Sequence, residues 1–348
     1  MEDDLLTSPT PRLTISIPTW QRARFLALTL AQLQREIETL PPNTRPGLIE
    51  VLISDNGSTD ETPSVVAAAQ QAGLVLRYVR NPENIGSDAN IAQCFNLALG
   101  QYVLILGDDD LFVDGALGWL LQTLARRTWG VVCLRPYGFE KDFRREHPGG
   151  SGADLEFGNG GDFLAAIGAL LTLISSCVIN KQILGELDAN QFCGSNLVQV
   201  HLVVRAALEG GDNLFASRYL MACQRNNSGG YDFSQVFVFN LGQVLDSYQT
   251  AGLSPAAIRR LETRLLLAFH PFYLFRQRLS RSGDRAATAA RFTARFGDRC
   301  LYRLWVAPIL WLPRPLALSW GAGVTLVSRM LNGELRRGIT FAWNRLRR

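Results

Sequence analysis

The stretch Tyr102-Val-Leu-Ile-Leu-Gly-Asp-Asp-Asp110 decides how this chain folds. An unbroken apolar run of this length reads as a strand buried on both faces, and it stops at a glycine followed by three consecutive carboxylates. Upstream the same grammar recurs. Leu13–Pro18 reads as a strand and Arg22–Glu38 as a helix; Ile49–Ser54 as a strand, followed by a helix capped by Ser58 or Asp60 and running to Gly73; Val75–Val79 as a strand and Asp88–Leu99 as a helix. Apolar strands alternating with helices predict an α/β fold, a Rossmann-like, mostly parallel sheet with helices on both faces and right-handed crossovers. Such sheets hold ligands at the carboxyl ends of their strands. The polar loops Pro18–Arg22, Asp55–Asp60, Asn81–Asp88 and Gly107–Asp110 all fall there.

Further along, Leu111–Arg127 reads as a helix, Val131–Leu134 as a strand and Tyr137–Gly161, rich in glycine and charge, as a mobile loop. Ile174–Asn180 reads as a strand, Lys181–Leu187 and Leu197–Glu209 as helices, and Arg225–Gly230 as a turn-rich loop. From about Val236 the chain is helical and amphipathic by pattern. The organisation expected is a disordered leader over 1–11, an α/β domain over 12–227 divided into halves 12–135 and 136–227, and a C-terminal helical region over 228–348.

Composition narrows the class. With 348 residues, 47% of them hydrophobic, the chain has ample material for a large core. Its six cysteines lie far apart and its three histidines have no partner at ligand spacing, which argues against a zinc site or a disulfide framework and for a reducing compartment. The first residues lack the basic-then-apolar pattern of a secretory signal. Charge is sharply divided: residues 1–252 carry 17 basic and 27 acidic side chains, residues 253–348 carry 18 and 4, and all 18 are arginines interleaved with Trp, Phe, Tyr and Leu. That pattern points to an anionic membrane surface as partner. The apolar stretch 305–330 is interrupted by Arg and Pro, and its longest uncharged piece, 315–328, is shorter than the roughly 20 residues a span requires. Interfacial helices are expected instead.

Three adjacent carboxylates ending a buried strand raise one another's pKa and call for a compensating cation. A divalent Mg or Mn ion shared with a substrate diphosphate supplies one, since hard ions favour oxygen donors. The plainer alternative is a solvated acidic turn that caps the next helix.

The residues then converge on a family. Ile17-Pro-Thr-Trp-Gln-Arg22, Ser54-Asp-Asn-Gly-Ser-Thr-Asp60 and Gly107-Asp-Asp-Asp110, in that order, resemble the successive strand ends of an inverting family 2 glycosyltransferase of the GT-A fold, over roughly residues 12–135. Asn81-Pro-Glu-Asn-Ile-Gly86 and Leu106–Asp110 are closest to its abequosyltransferase-like branch, which resembles transferases of dideoxysugars in O-antigen assembly. The resemblance implies a nucleotide diphosphate-sugar donor, with Asp55 on the nucleobase, Asn84 and Gly86 lining the nucleotide pocket, Asp108 at the ribose and Asp110, with Asp108, at the metal. Pro18, Thr19, Arg22 and Asp109 would complete the donor site, and Arg225 would reach the diphosphate. For Asp55, Asn84, Arg22 and Arg225, ordinary turn or surface roles remain open.

The family's general base is a Glu-Asp pair opening a later helix. Placing Arg205 on the family's helix arginine puts Val198-Gln199 at that pair. His201, on the same helix, is a candidate base because its reference pKa lies near neutrality, or else a packed histidine; Asp188 is the next candidate. No Gly-x-Gly-x-x-Gly or phosphate loop follows the first strand, which sets aside dinucleotide oxidoreductases, P-loop enzymes and sugar nucleotidyltransferases. The tail is too apolar for a nucleic-acid binder. The expectation is a cytoplasmic enzyme, peripheral at the inner face of the plasma membrane, acting on a glycan or polyprenyl-diphosphate-linked acceptor. The alternative is a degenerate GT-A scaffold or sugar-binding protein.

Overall fold

The computed structural model describes residues 10–42, 47–150, 152–225 and 230–331. Most of the expected leader, the boundary at 227, the turn at 226–229 and the arginines beyond 331 lie outside the described residues. The chain forms two compact units, one of residues 10–163 with 170–225, the other of Leu164–Ala169 with residues from 230 onward.

The first unit is built on a nine-stranded sheet in the order β3-β2-β1-β4-β8-β6-β9-β5, with β7 paired to β9. Its parallel half consists of β1 (Leu13–Thr19), β2 (Ile49–Asp55), β3 (Arg77–Arg80) and β4 (Tyr102–Ile105). The helices α1 (Ala23–Thr39), α2 (Thr62–Gln71) and α3 (Ser87–Leu97) connect them. These are the α/β class and the alternation read from the sequence, to within a few residues at each end. β1 shows why the two faces differ. Leu13, Ile15 and Ile17 pack with Leu26, Leu30 and Leu33 of α1 and with Leu117 and Leu120 of α4 (Ala116–Arg126) in one buried cluster. The alternate residues, Thr14 and Ser16, are fully buried but hydrogen-bonded, Ser16 Oγ donating to the Cys94 carbonyl of α3 at 2.9 Å. Buried polar groups on that face therefore cost little.

Beyond β4 the sheet becomes mixed. β8 (Cys177–Asn180) runs antiparallel to β4 and to β6 (Val131–Phe139), and β9 (Asn213–Gln224) lies parallel to β6. Here the structure corrects several sequence expectations. The expected helix from Leu111 begins only at Ala116, after Gly115 turns the chain with φ +81°; Asp110–Phe112 is instead a short strand, β5, paired with β9. The expected mobile loop 137–161 contains the end of β6 and β7 (Leu155–Phe157), and β6 runs through the expected division at 135. The expected strand at 174 begins as a 3-10 turn, Ile174–Ser176. The long strand β9 has no counterpart among the sequence expectations. The short helix α6 (Lys181–Leu184) and α7 (Val198–Glu209) pack together, and α7 also packs on α3.

The second unit is helical: it comprises α8 (Leu241–Ser247), α9 (Pro255–Arg264), α10 (His270–Ser280), α11 (Arg285–Phe296), α12 (Ala307–Trp311) and α13 (Arg314–Leu331), with residues 164–167 of α5 (Gly160–Ile167) counted in it. Its core gathers Phe233, Val238, Leu266, Leu274, Phe292, Phe296, Tyr302 and Ile309. Leu304, Trp311, Leu316, Trp320, Leu326 and Met330 remain exposed. No helix among the described residues is long and apolar enough to cross a membrane.

Candidate active site

Strand order reverses between β1 and β4, so a crevice opens at the carboxyl ends of these two neighbours. Thr19 closes β1, and the turn Gly107–Asp110, sealed by the Asp110 amide on the Gly107 carbonyl at 3.1 Å, follows β4. The two meet directly. Thr19 Oγ1 donates to Asp108 Oδ2 at 2.7 Å, while Arg22 places Nε 2.8 Å from Asp108 Oδ1 and Nη2 2.8 Å from Asp109 Oδ2. Neither guanidinium nitrogen meets hydrogen-bond geometry, so this contact is charge against charge.

Asp110 is held from the other side. Ser175 Oγ donates to its Oδ2 and accepts the Gly107 amide at 2.8 Å, and Cys223, its register partner on β9, also donates to it. Burial raises the pKa of Asp108 to about 7, more than Arg22 and Thr19 lower it. Burial, helped by the like charge of Asp109, raises Asp110 to about 7 as well. Burial thus disfavours the charged form of both carboxylates, and only Asp108 has a guanidinium against it. A Cβ at Gly107 would come within 3.1–3.3 Å of side-chain oxygens of Asp110, Asp109 and Ser175, so a larger residue there would have to shift them by a few tenths of an ångström.

The loop after β2 is tied to the same crevice. Gln21, at φ +55°, receives the Thr59 and Asp60 amides on its side-chain oxygen at 3.1 and 3.0 Å, and its own amide donates to Ser58 Oγ. Asp60 does not simply cap α2. It accepts the Thr62 amide with one oxygen and the first amide of α1, from Ala23, with the other. Left-handed backbone at a non-glycine residue stores strain, and here a dense set of bonds holds it in place. Asp55 is fully buried and accepts from the Ser58 amide at 2.9 Å and Tyr78 Oη at 2.6 Å, with Arg80 Nε at 3.6 Å. Asn84 accepts from Asn56 Nδ2 and the Gly86 amide, both at 2.8 Å; Gly86, at φ +88°, opens α3 with free space beside its Cα. Gly57 could not be otherwise, since a Cβ there would lie 2.9 Å from the Glu83 carbonyl carbon.

Pro18, Thr19, Arg22 and the three aspartates thus come together, with Asp55, Asn84 and Gly86 along the neighbouring strand ends. Arg225 sits just past β9, its amide on the Phe139 carbonyl and its side chain across Gly138. The proposed bases lie elsewhere on the chain. His201 stacks face to face on Phe192 with ring centroids 4.4 Å apart, and burial lowers its pKa to about 4. Asp188 caps the turn Ala189–Phe192, and bonds from the Asn190 amide and the Asn96 side chain hold its pKa below the usual range. Sequence reading missed Ser175, Cys223, Tyr78 and Asn56, all of which organise the site.

A parallel strand layer with an acidic turn at its switch point is the fold of GT-A glycosyltransferases. Residues 14–176 match the model of glycosyl transferase family 2. It is similar to abequosyltransferase RfbV of Salmonella typhimurium, 26% identical over 229 residues that cover 62% of this chain and 67% of that one. It is also similar to a Campylobacter jejuni GalNAc(5)-diNAcBac-PP-undecaprenol beta-1,3-glucosyltransferase, 30% identical over 113 residues, covering 32% of this chain and 34% of the relative. Among solved structures, S. aureus TarS 1–349 in complex with UDP superposes with a TM-score of 0.61 at 14% identity, covering 92% of each chain. The Pyrobaculum calidifontis mannosyltransferase PcManGT, in complex with GDP-Man and Mn2+, gives 0.51 at 18% identity, covering 91% of this chain and 87% of that one.

Proposed function

We propose that this chain transfers a sugar from a nucleoside diphosphate-sugar to a hydroxyl of a glycan or polyprenyl-diphosphate-linked acceptor during synthesis of a cell-surface polysaccharide. The observation that carries the reading is the acidic turn: Asp108 and Asp110, both buried and both raised toward neutrality, stand at the switch point beside Thr19 and Arg22. The nucleotide would lie along Pro18, Thr19, Asp55, Asn84 and Gly86, with its diphosphate facing Arg22, Asp109 and, at the end of β9, Arg225.

The donor set suits a divalent Mg or Mn ion. Its atoms are hard carboxylate oxygens, and because burial raises both pKa values, a bound cation would favour their charged forms. Among the described residues no three or more His, Cys, Asp or Glu side chains are arranged to hold a metal. Asp110 and Asp108 with substrate oxygens would serve, as one or two protein carboxylates are usual for Mg. When bound, the ion would offset charge on the departing diphosphate. Ser175 and Thr19 fix the two carboxylates in place, and Arg22 adds a second positive charge. His201, neutral at working pH, is proposed to take the acceptor proton, ahead of Asp188, in a single displacement with inversion. The exposed Trp and Leu side chains of α12 and α13, among arginines, support a peripheral position on the anionic cytoplasmic face of the membrane; nucleic acid is not a proposed partner.

Calorimetric titration of UDP, CDP, GDP and dTDP with Mn present tests this, with Asp110→Ala as control. Metal-dependent binding of one nucleotide, lost in the variant, is expected; binding of none by folded protein would overturn the reading. Gln199 stands where the family's acidic pair would be and donates to the Thr172 carbonyl at 3.0 Å, which favours a scaffold as the second reading. Nucleotide binding without turnover on any acceptor would select it.

A further inference from the structure

Within the helical unit, a cavity of about 190 Å3 opens at the end of α10, lined by Arg278, Arg281, Arg285 and Arg314 together with Gln277 and Ser282. It has room for about six water molecules at liquid density. No Asp or Glu lines it. The neighbouring Asp284 uses its carboxylate to cap α11, accepting the Ala286 and Ala287 amides at 2.9 and 3.1 Å.

Four arginines line this space, two of them exposed, and what offsets their charge is incomplete. Arg278 Nη2 donates to the Leu312 carbonyl at 2.8 Å, and Arg314 donates to the carbonyls of Arg278 and Leu279 at 3.3 and 3.2 Å. Helix-end carbonyls carry only partial charge. Arg278 Nε is buried with no hydrogen-bond partner, and the side chains of Arg281 and Arg285 have neither a hydrogen bond nor an ion pair among the described residues. Partial burial, with Arg285 and Arg314 nearby, pushes Arg278 below its ordinary range. Arg281 also ends α10 in the left-handed conformation, φ +55°, where glycine is the usual choice. A charged residue kept at a strained position beside an uncompensated cluster marks a site for an anion.

We infer that this cavity binds a phosphate group, and that the phosphate belongs to the headgroup of a membrane lipid. Guanidinium forks match phosphate oxygens in pairs. The exposed Leu279 and Leu316, each close in the chain to a cavity arginine, provide apolar surface for the attached hydrocarbon. The lipid half rests on the proposed membrane association; the phosphate half rests on the cavity alone.

The test uses the full chain, with phosphatidylcholine vesicles with and without phosphatidylglycerol in one arm and inorganic phosphate by calorimetry in the other. Arg281→Gly with Arg285→Gln removes two cavity charges, and glycine relieves the left-handed backbone, so the variant should fold. Arg259→Gln with Arg303→Gln removes two exposed charges outside the cavity. Expected is a loss of about tenfold or more in phosphatidylglycerol-dependent binding for the first pair and about twofold or less for the second. If wild type ignores phosphatidylglycerol but only the first pair weakens inorganic phosphate, the membrane association and the lipid assignment fall and a soluble-phosphate site stands. Equal losses in both pairs, or unchanged binding of both probes by the cavity variant, would overturn the proposal.

Discussion

Asp110→Asn should stabilise the protein while abolishing its proposed activity, and the size of the gain follows from the site. Burial and Asp109 raise Asp110 from 3.8 to about 7. The folded state therefore binds more protons than the unfolded chain between about pH 4 and pH 7, and stability present at low pH is lost as pH rises through that window. At 1.36 kcal/mol per pH unit the full cost of ionising Asp110 is about 4 kcal/mol; allowing for relaxation and water entry, about half survives. Asparagine keeps an oxygen to accept from Ser175 and carries no charge. In chelator at pH 8, Asp110→Asn should thus raise Tm by about 4–8 °C, at about 2–4 °C per kcal/mol for a unit of this size. The gain should vanish near pH 4, where wild-type Asp110 is itself neutral. Differential scanning calorimetry across this range decides the matter. A variant no more stable than wild type at pH 8, or a gain independent of pH, would refute the claim that burial disfavours the charged form of this carboxylate.

Ser175→Ala removes the acceptor of the Gly107 amide and a donor to Asp110 at once. It should cost about 1–3 kcal/mol in urea denaturation and weaken nucleotide binding, and its effect should not add to that of Asp110→Asn. If His201 accepts the acceptor's proton, His201→Gln should lower kcat by about a hundredfold or more with KM little changed, while Asp188→Asn stays within a few-fold. The wild-type limb assigned to His201, lost in His201→Gln, should then lie near pH 4, where burial places its pKa, rather than near 6.5. Unimpaired kcat in His201→Gln would remove it from the mechanism.

Most of the parallel half of the sheet was legible because β1, β2 and β4 are largely buried and so appear as mainly apolar runs, whereas β3, Arg-Tyr-Val-Arg, is only half-buried. β9 carries no such signal. It is twelve residues long and pairs with β6, β5 and β7 along different parts of its length, so its burial changes from segment to segment. The register against β6 also shifts twice, between Cys133 and Pro136, which breaks any alternation a reader could follow. β5 fails for the opposite reason. Three residues cannot establish a period, and Leu111 and Phe112 are equally good openers of the helix that follows.

The site divides along the same physical line. Thr19, Arg22 and the aspartates stand at strand ends whose sequence order already implies a shared crevice, so local reading reached them. The groups that set the electrostatics of Asp110 come from far away in the chain. Ser175 is 65 residues distant, in a turn with no motif of its own, and Cys223 arrives through antiparallel pairing with a strand that sequence reading had placed inside a helix. Three adjacent aspartates suggest a cluster that repels itself, yet burial is the largest cause of both raised pKa values and Asp109 only adds to it. A lone buried Asp110 would still be raised. The demand for a cation therefore belongs to the place where the fold puts the turn more than to the number of aspartates in it, and replacing Asp109 should leave most of that demand intact.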